Sequence, residues 1–262
     1  MLLSEKLWIW GQDAGTHHLV ENNAWKLPGV NKMGPVEGAK YLGIPNMCRI
    51  AMGNVPAPPF DNEMEKLKDI PTVAWSIIGD AGTDRNSTGG SDLEAVIDLT
   101  KKYNNLVAGV MDDFFNPGRI EIYTPDVIAD YAATLHKAGL ELWTVFYDRN
   151  LNDDLSEWLV NCDVVSFWTW NAVDLMKLEE NIVKLEGQLT NGQKIYAGCY
   201  MYDYGGFGPI SNELMLYQLE TYKKWLKEGR IDGIIFCSNC IADIGLEAVE
   251  ITRKWIADNQ EI

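Results

Sequence analysis

Short apolar runs alternate with segments of helical periodicity along the whole chain, and this alternation narrows the possible folds more than any other feature. Eight runs rich in β-branched and aromatic residues read as strands: Leu7–Trp10, Pro45–Ala51, Thr72–Ile78, Leu106–Met111, Leu140–Tyr147, Cys162–Trp170, Lys194–Tyr202 and Ile231–Cys237. Helical signals fill the intervals. Ser91 and Glu94 have capping-box spacing, and Leu93, Val96, Ile97, Thr100 and Tyr103 then form one apolar face. Thr124-Pro125 caps and opens a helix whose Ile128, Tyr131, Ala132 and Leu135 face inward, with Gly139 at its end. Gly43 and Gly229 close two others, and a last helix runs from about Gly245 to Asp258. Eight strands, each followed by a helix, predict a (β/α)8 barrel occupying 1–262 as one domain. A doubly wound open sheet is the alternative, but the Gly-rich nucleotide fingerprint that accompanies it is absent.

Composition restricts the partners. Hydrophobic residues make up 47% and charged residues 23%, which excludes disorder and fibrous folds. Asp and Glu outnumber Lys and Arg 38 to 22, a formal charge of -16, which disfavours nucleic acid and anionic membranes and leaves a neutral or cationic small molecule. Ten Trp and eleven Tyr supply flat faces of the kind on which sugar rings stack, although core packing is the commoner use. The five Cys, at 48, 162, 199, 237 and 240, show no framework spacing, so a reduced intracellular chain is the simpler reading. Cys237 and Cys240 form a CxxC, but there is no second CxxC and the chain has few His, so a coincidence at a strand end is expected over a zinc or redox site. No stretch approaches the ~20 apolar residues of a membrane span. The start, MLLSEKLWIW, lacks a basic n-region and a cleavage site, so the expected location is cytoplasmic, or extracytoplasmic if a signal peptide has been removed.

Loop lengths orient the barrel. Helix-to-strand connections are short, whereas the strand-to-helix segments Gly11–Gly34, Gly79–Gly90, Asp112–Tyr123 and Asp203–Pro209 are long and polar. Active sites of this fold gather at the C-terminal strand ends. The candidates there are Asp13, His17 and His18 after strand one, Arg49 on strand two, Asp80 after strand three, and Asp112 and Asp113 after strand four. Tyr147 ends strand five, Trp168 and Trp170 strand six, Tyr200, Tyr202 and Asp203 strand seven, and Asn239 follows strand eight. Trp168 and Trp170 share one face, as sugar platform or as core plugs; a single Asp such as Asp203 serves a turn as often as a ligand. His17 and His18 lie in a Gly-flanked loop, either closing over a substrate or simply solvated.

This set is rich in carboxylates and aromatics and poor in His, Lys and Ser. No GxSxG elbow or Cys–His pair supplies a nucleophile, no Lys stands at a C-terminal strand end, and adjacent histidines rarely point at one metal ion. No metal and no cofactor are expected. Carboxylate acid/base chemistry remains, the economy of glycoside hydrolysis. The sharpest motif is Gly109-Val110-Met111-Asp112-Asp113-Phe114-Phe115. Two carboxyls confined together repel, so one stays protonated near neutral pH beside a charged partner. Alternatively, one Asp caps the next loop and the other pairs with Arg119 or Arg49.

A hydrophobic strand four ending in Asp-Asp-Phe resembles that of the O-GlcNAcase-type β-N-acetylglucosaminidases. Trp168-Thr169-Trp170 is similar to that family's sixth strand end, and Tyr202-Asp203-Tyr204 to its seventh. The resemblance implies that Asp112 polarises a substrate acetamido group, Asp113 is general acid and then base, and Asp203 binds sugar hydroxyls. The overall expectation is a glycoside hydrolase-like enzyme acting on a carbohydrate. Two alternatives stand beside it: a sugar or sugar-phosphate isomerase or lyase holding phosphate at Tyr204-Gly205-Gly206-Phe207-Gly208, and a carbohydrate-binding barrel without turnover.

Overall fold

The computed structural model describes residues 2–261. Its strands are β1 Leu7–Gly11, β2 Asn46–Arg49, β3 Val73–Ile78, β4 Leu106–Met111, β5 Glu141–Tyr147, β6 Val164–Trp168, β7 Lys194–Tyr200 and β8 Gly233–Cys237. They close in chain order into a barrel. The helices that follow them are α1 Pro35–Leu42, α2 Asp61–Lys66, α3 Leu93–Leu99, α4 Pro125–Lys137, α5 Ser156–Leu159, α6 Leu178–Gln188, α7 Asn212–Glu228 and α8 Glu247–Asp258. The chain is a (β/α)8 barrel. Its strands β1, β3 and β8 are buried along their whole length, the pattern of strands covered on both faces.

Contacts within the barrel group into two compact units. One comprises the chain up to Met47, Trp168–Leu178 and the chain from Ile195 on; the other comprises Cys48–Phe167 and Glu179–Lys194. In the first, β8 pairs in parallel with β1, Trp10 opposite Cys237, and with β7, Tyr200 opposite Cys237. Here Gly198 is required by a close approach: a Cβ at that position would lie 2.0 Å from the Trp168 ring. Gly43 and Gly229, at φ of 74° and 71°, close α1 and α7 in the left-handed conformation expected of them. In the second unit β4 pairs with β3 and β5, Val110 opposite Ser76 and Trp143.

Two helix starts differ from expectation. No capping box forms at α3: its N-cap is Asp92 and carries no side-chain cap bond. The Asp92 carboxylate is instead held by the Arg85 guanidinium, at 2.7 to 3.0 Å. Leu93, Val96 and Leu99 form its buried face, with Ile97 only half-buried. At α4 Pro125 occupies the first turn as expected, but Thr124 makes no side-chain cap bond.

Candidate functional site

In the second unit, the end of β4 carries the acid pair. Asp112 is 5% exposed, and its Oδ1 accepts the backbone N–H of Asp113 at 2.8 Å. Asp113 takes a φ of 45°, a left-handed conformation that Asp tolerates better than most residues and that ends the alternation of the strand. Both its oxygens are engaged: Oδ1 accepts the Tyr147 hydroxyl at 2.8 Å, and Oδ2 the Ala81 N–H at 3.2 Å. Burial first, then the charges of Asp113 and Asp80, hold the Asp112 carboxyl well above the usual carboxylate range; Arg119 and the Asp113 N–H oppose this without cancelling it.

Arg119 does not pair with either carboxylate. It sits on a short helix, Pro117–Ile120, and its buried guanidinium donates to the carbonyls of Gly79 (2.7 Å), Asp80 (2.5 Å) and Asp112. Those carbonyls mark the ends of β3 and β4, so one side chain fixes how the two strand ends diverge. Asp80 turns its own Oδ1 to the Gly53 N–H (3.0 Å) and the Thr83 hydroxyl (2.6 Å). Arg49 lies fully buried, not open at the rim, donating to Glu63 of α2 (3.2 Å) and to the Ile50 carbonyl (3.2 Å). Among the described residues, no group of three His, Cys, Asp or Glu side chains is placed to hold a metal ion.

The first unit carries the aromatic candidates and the histidines. His17 is in neither a lid nor a solvated loop: Thr16–Leu19 forms a helical turn that buries it to 3% exposure. Burial, and secondarily the charge of His18, pushes its imidazole down to about 3. The neutral ring has one N–H. Since Gln12 Oε1 accepts only, Nε2 donates to it at 2.5 Å, and Nδ1 accepts the Tyr204 hydroxyl at 2.8 Å. His18 is half-buried and donates from Nε2 to the Pro28 carbonyl at 3.2 Å.

The aromatics separate into two layers. Trp168, Tyr202 and Tyr204 are buried. Trp168 packs edge-on to Trp10 (5.3 Å) and against Tyr200 (4.9 Å), while the Tyr202 hydroxyl donates to the carbonyls of Trp25 and Lys26. Trp170, Tyr200 and Trp25 are half-buried, with Trp25 edge-on to Tyr204 (5.0 Å) and Trp170 (6.4 Å). Trp25 was not legible as a site residue, lying in a long loop without periodicity. Gln12, the first polar side chain past β1, could have been found by the same rule that selects Asp13.

Several polar candidates here are occupied by the fold. Asn239 accepts the Gln12 N–H at 2.8 Å and donates to the carbonyls of Gln12 and Met33, each at 2.9 Å. Asp13 gives its carbonyl to the Thr16 hydroxyl at 2.9 Å. Asp203 Oδ1 accepts the N–H groups of Ala172 (3.0 Å) and Gly206 (2.9 Å). The Gly208 N–H goes to the Asp203 carbonyl and that of Gly205 to Trp170, so all three glycine N–H groups of this loop have acceptors already and no phosphate cradle remains. All five cysteines are buried, and none forms a disulfide among the described residues. No described helix is long and apolar enough to cross a membrane.

No protein-family model and no curated protein sequence matches the chain. Solved structures do. The spore cortex-lytic enzyme SleL of Bacillus megaterium QM B1551 superposes with a TM-score of 0.59 at 10% identity, over 98% of this chain and 74% of that one. A glycoside hydrolase family 17 β-1,3-glucanosyltransferase from Rhizomucor miehei gives 0.53 at 11% identity, covering 77% and 78%. Tryptophan synthase subunit alpha from Legionella pneumophila gives 0.51 at 11% identity, covering 97% and 93%. At such identities the likeness is one of fold: a barrel shared by glycoside hydrolases and by an enzyme of other chemistry.

Proposed function

We propose that the chain is a glycoside hydrolase whose centre is Asp112 and Asp113, acting on a carbohydrate at the C-terminal end of the barrel. The observation that carries this reading is the unequal environment of two adjacent carboxyls. Asp112 is deprived of water beside two other acids, which favours its neutral form, while Asp113 is an acceptor through both oxygens. Two carboxyls with environments set apart are what glycosidic cleavage needs, one to give a proton to the leaving oxygen and one to meet positive charge at the anomeric carbon. The geometry favours Asp112 as the proton donor and Asp113 as the charged partner, the reverse of the roles that the resemblance to O-GlcNAcase-type enzymes implies. Arg119 is a positioning residue: it fixes the strand end that carries Asp112 and leaves the carboxyl free of an ion pair. The likeness to glycoside hydrolase barrels adds a suitable scaffold and says nothing of the sugar.

A panel of nitrophenyl glycosides tests the reading, followed by the isosteric variants on whichever substrate is cleaved. An activated aglycone needs little protonation, so it should partly restore Asp112→Asn and leave Asp113→Asn inactive. The opposite pattern would return the acid role to Asp113. Wild-type rates in both variants, on a substrate with a poor leaving group, would remove the pair from catalysis.

A further inference from the structure

Arg149 follows Asp148 directly after β5, on a short 3-10 turn spanning Asp148–Asn150, and its side chain is exposed. Its guanidinium lies 3.9 Å from the centroid of the Tyr147 ring, and among the described residues it has no carboxylate or carbonyl partner. The adjacent Asp148 carboxylate accepts the backbone N–H of Arg149 at 3.0 Å, not its side chain. In a chain with 38 acids and 22 bases such a cation is unusual. Arg49, Arg85 and Arg253 each pair with a carboxylate, and Arg119 is consumed by three carbonyls.

Stacking engages the face of a guanidinium and leaves its edge of N–H donors open, held in plane by the ring beneath. That edge matches the two oxygens of a carboxylate. The ring that holds it is tied by its hydroxyl to Asp113. From Asp113 to the open fork there is thus one hydrogen bond, one phenol ring and one stacking contact, a span that a single sugar unit with its substituents can bridge.

We infer that Arg149 determines specificity at this site, and that the glycoside it selects bears a carboxylate on its sugar ring, as a uronic acid does. The inference rests on the hydrolase reading only for the position of the substrate; the recognition itself is a binding property. The long-range field of an acidic chain repels such a ligand, and a cation not neutralised by a protein carboxylate at the point of contact is what offsets that repulsion.

Binding of methyl glucuronide, galacturonide and mannuronide to the full chain, each against its neutral hexoside, tests this by NMR titration or calorimetry. At least one uronide should bind about tenfold more tightly than its neutral counterpart, as one charge-assisted bidentate contact allows. The preference should shrink with added salt and collapse in Arg149→Gln. Arg149→Lys, which keeps the charge without the planar fork, should retain part of it. Arg253→Gln, the same charge change on the exposed side of α8, should leave it intact. The inference falls if no uronide outbinds its neutral partner, or if the preference survives in Arg149→Gln. Uronide preference without cleavage of any glycoside would keep Arg149 and remove the hydrolase; cleavage with no uronide preference would do the reverse.

Discussion

Burial acts on Asp112 and on His17 in opposite directions and for one reason: both lose water, and both are pressed toward their neutral forms. What surrounds them differs. His17 has each ring nitrogen matched, Gln12 on one side and the Tyr204 hydroxyl on the other, with Trp25 and Tyr204 edge-on to its ring. The neutral imidazole is what that pocket is built for. Asp112 is buried among like charges, with the Arg119 guanidinium turned to its carbonyl and not to its carboxyl. The histidine group is satisfied, whereas the aspartate group retains an electrostatic cost that Arg119 and the Asp113 N–H relieve only in part. Such uncompensated cost concentrates at working sites, because a stable chain would otherwise shed it.

The sharpest way to break this contrast is to exchange activity for stability in each group. Asp112→Asn and Asp113→Asn should each reduce turnover of a glycoside with a poor leaving group by about 10²–10⁴-fold, with the fold retained by circular dichroism. Asp112→Asn keeps an oxygen for the Asp113 N–H, so its structural cost is small. His17→Gln should do the opposite, losing stability by urea titration while its effect on turnover stays far smaller. A variant of His17 that folds well yet is as inactive as the aspartate variants would place the imidazole in the chemistry and end the division.

A second, smaller effect divides the aromatics. Trp168 is 2% exposed and rests on the bare backbone of Gly198, so Trp168→Ala should cost about 3–5 kcal/mol, the range for deleting a buried ring. Trp170 is half-buried, and its removal should cost well under half as much while weakening carbohydrate binding more. Equal losses of stability on chemical denaturation would mean that the half-exposed layer is core and no platform.

The strand count and orientation were legible because apolar runs buried on both faces carry no competing signal; β4 begins and ends where its run does, the polar side chain of Asp112 marking the stop. Strand six was read too long, since Cys162 and Thr169 are buried outside the ladder and burial alone imitates a strand. The two adjacent acids could be found from sequence, but not the inequality of their environments. That depends on Asp80 and Tyr147, brought in by neighbouring strands, and on the backbone turn at Asp113. His17 was misplaced for a similar reason: its partner Tyr204 stands 187 positions away, and nothing local in Thr16-His17-His18-Leu19 reports it.

The smallest effect is the most direct test of the comparison, because the two groups should tilt stability in opposite senses with pH. His17 binds its proton near 3 when folded and near 6.5 when unfolded, so between those values the unfolded chain holds more protons. Its contribution is full above pH 6.5 and is lost as pH falls, by at most about 1.4 kcal/mol for each unit. Asp112 runs the other way. Its folded value lies above 3.8, so the folded chain holds the extra proton, and stability declines as pH rises from there through the folded value. Urea titrations from pH 4 to 8 isolate each term as a difference from wild type, in which the remaining groups cancel. The deficit of His17→Gln should shrink toward acid pH, and the advantage of Asp112→Asn should grow toward alkaline pH. Parallel lines for Asp112→Asn would mean that its carboxyl titrates as in the unfolded chain. The proton donor would then have to be sought elsewhere, with Asp113 the first place to look.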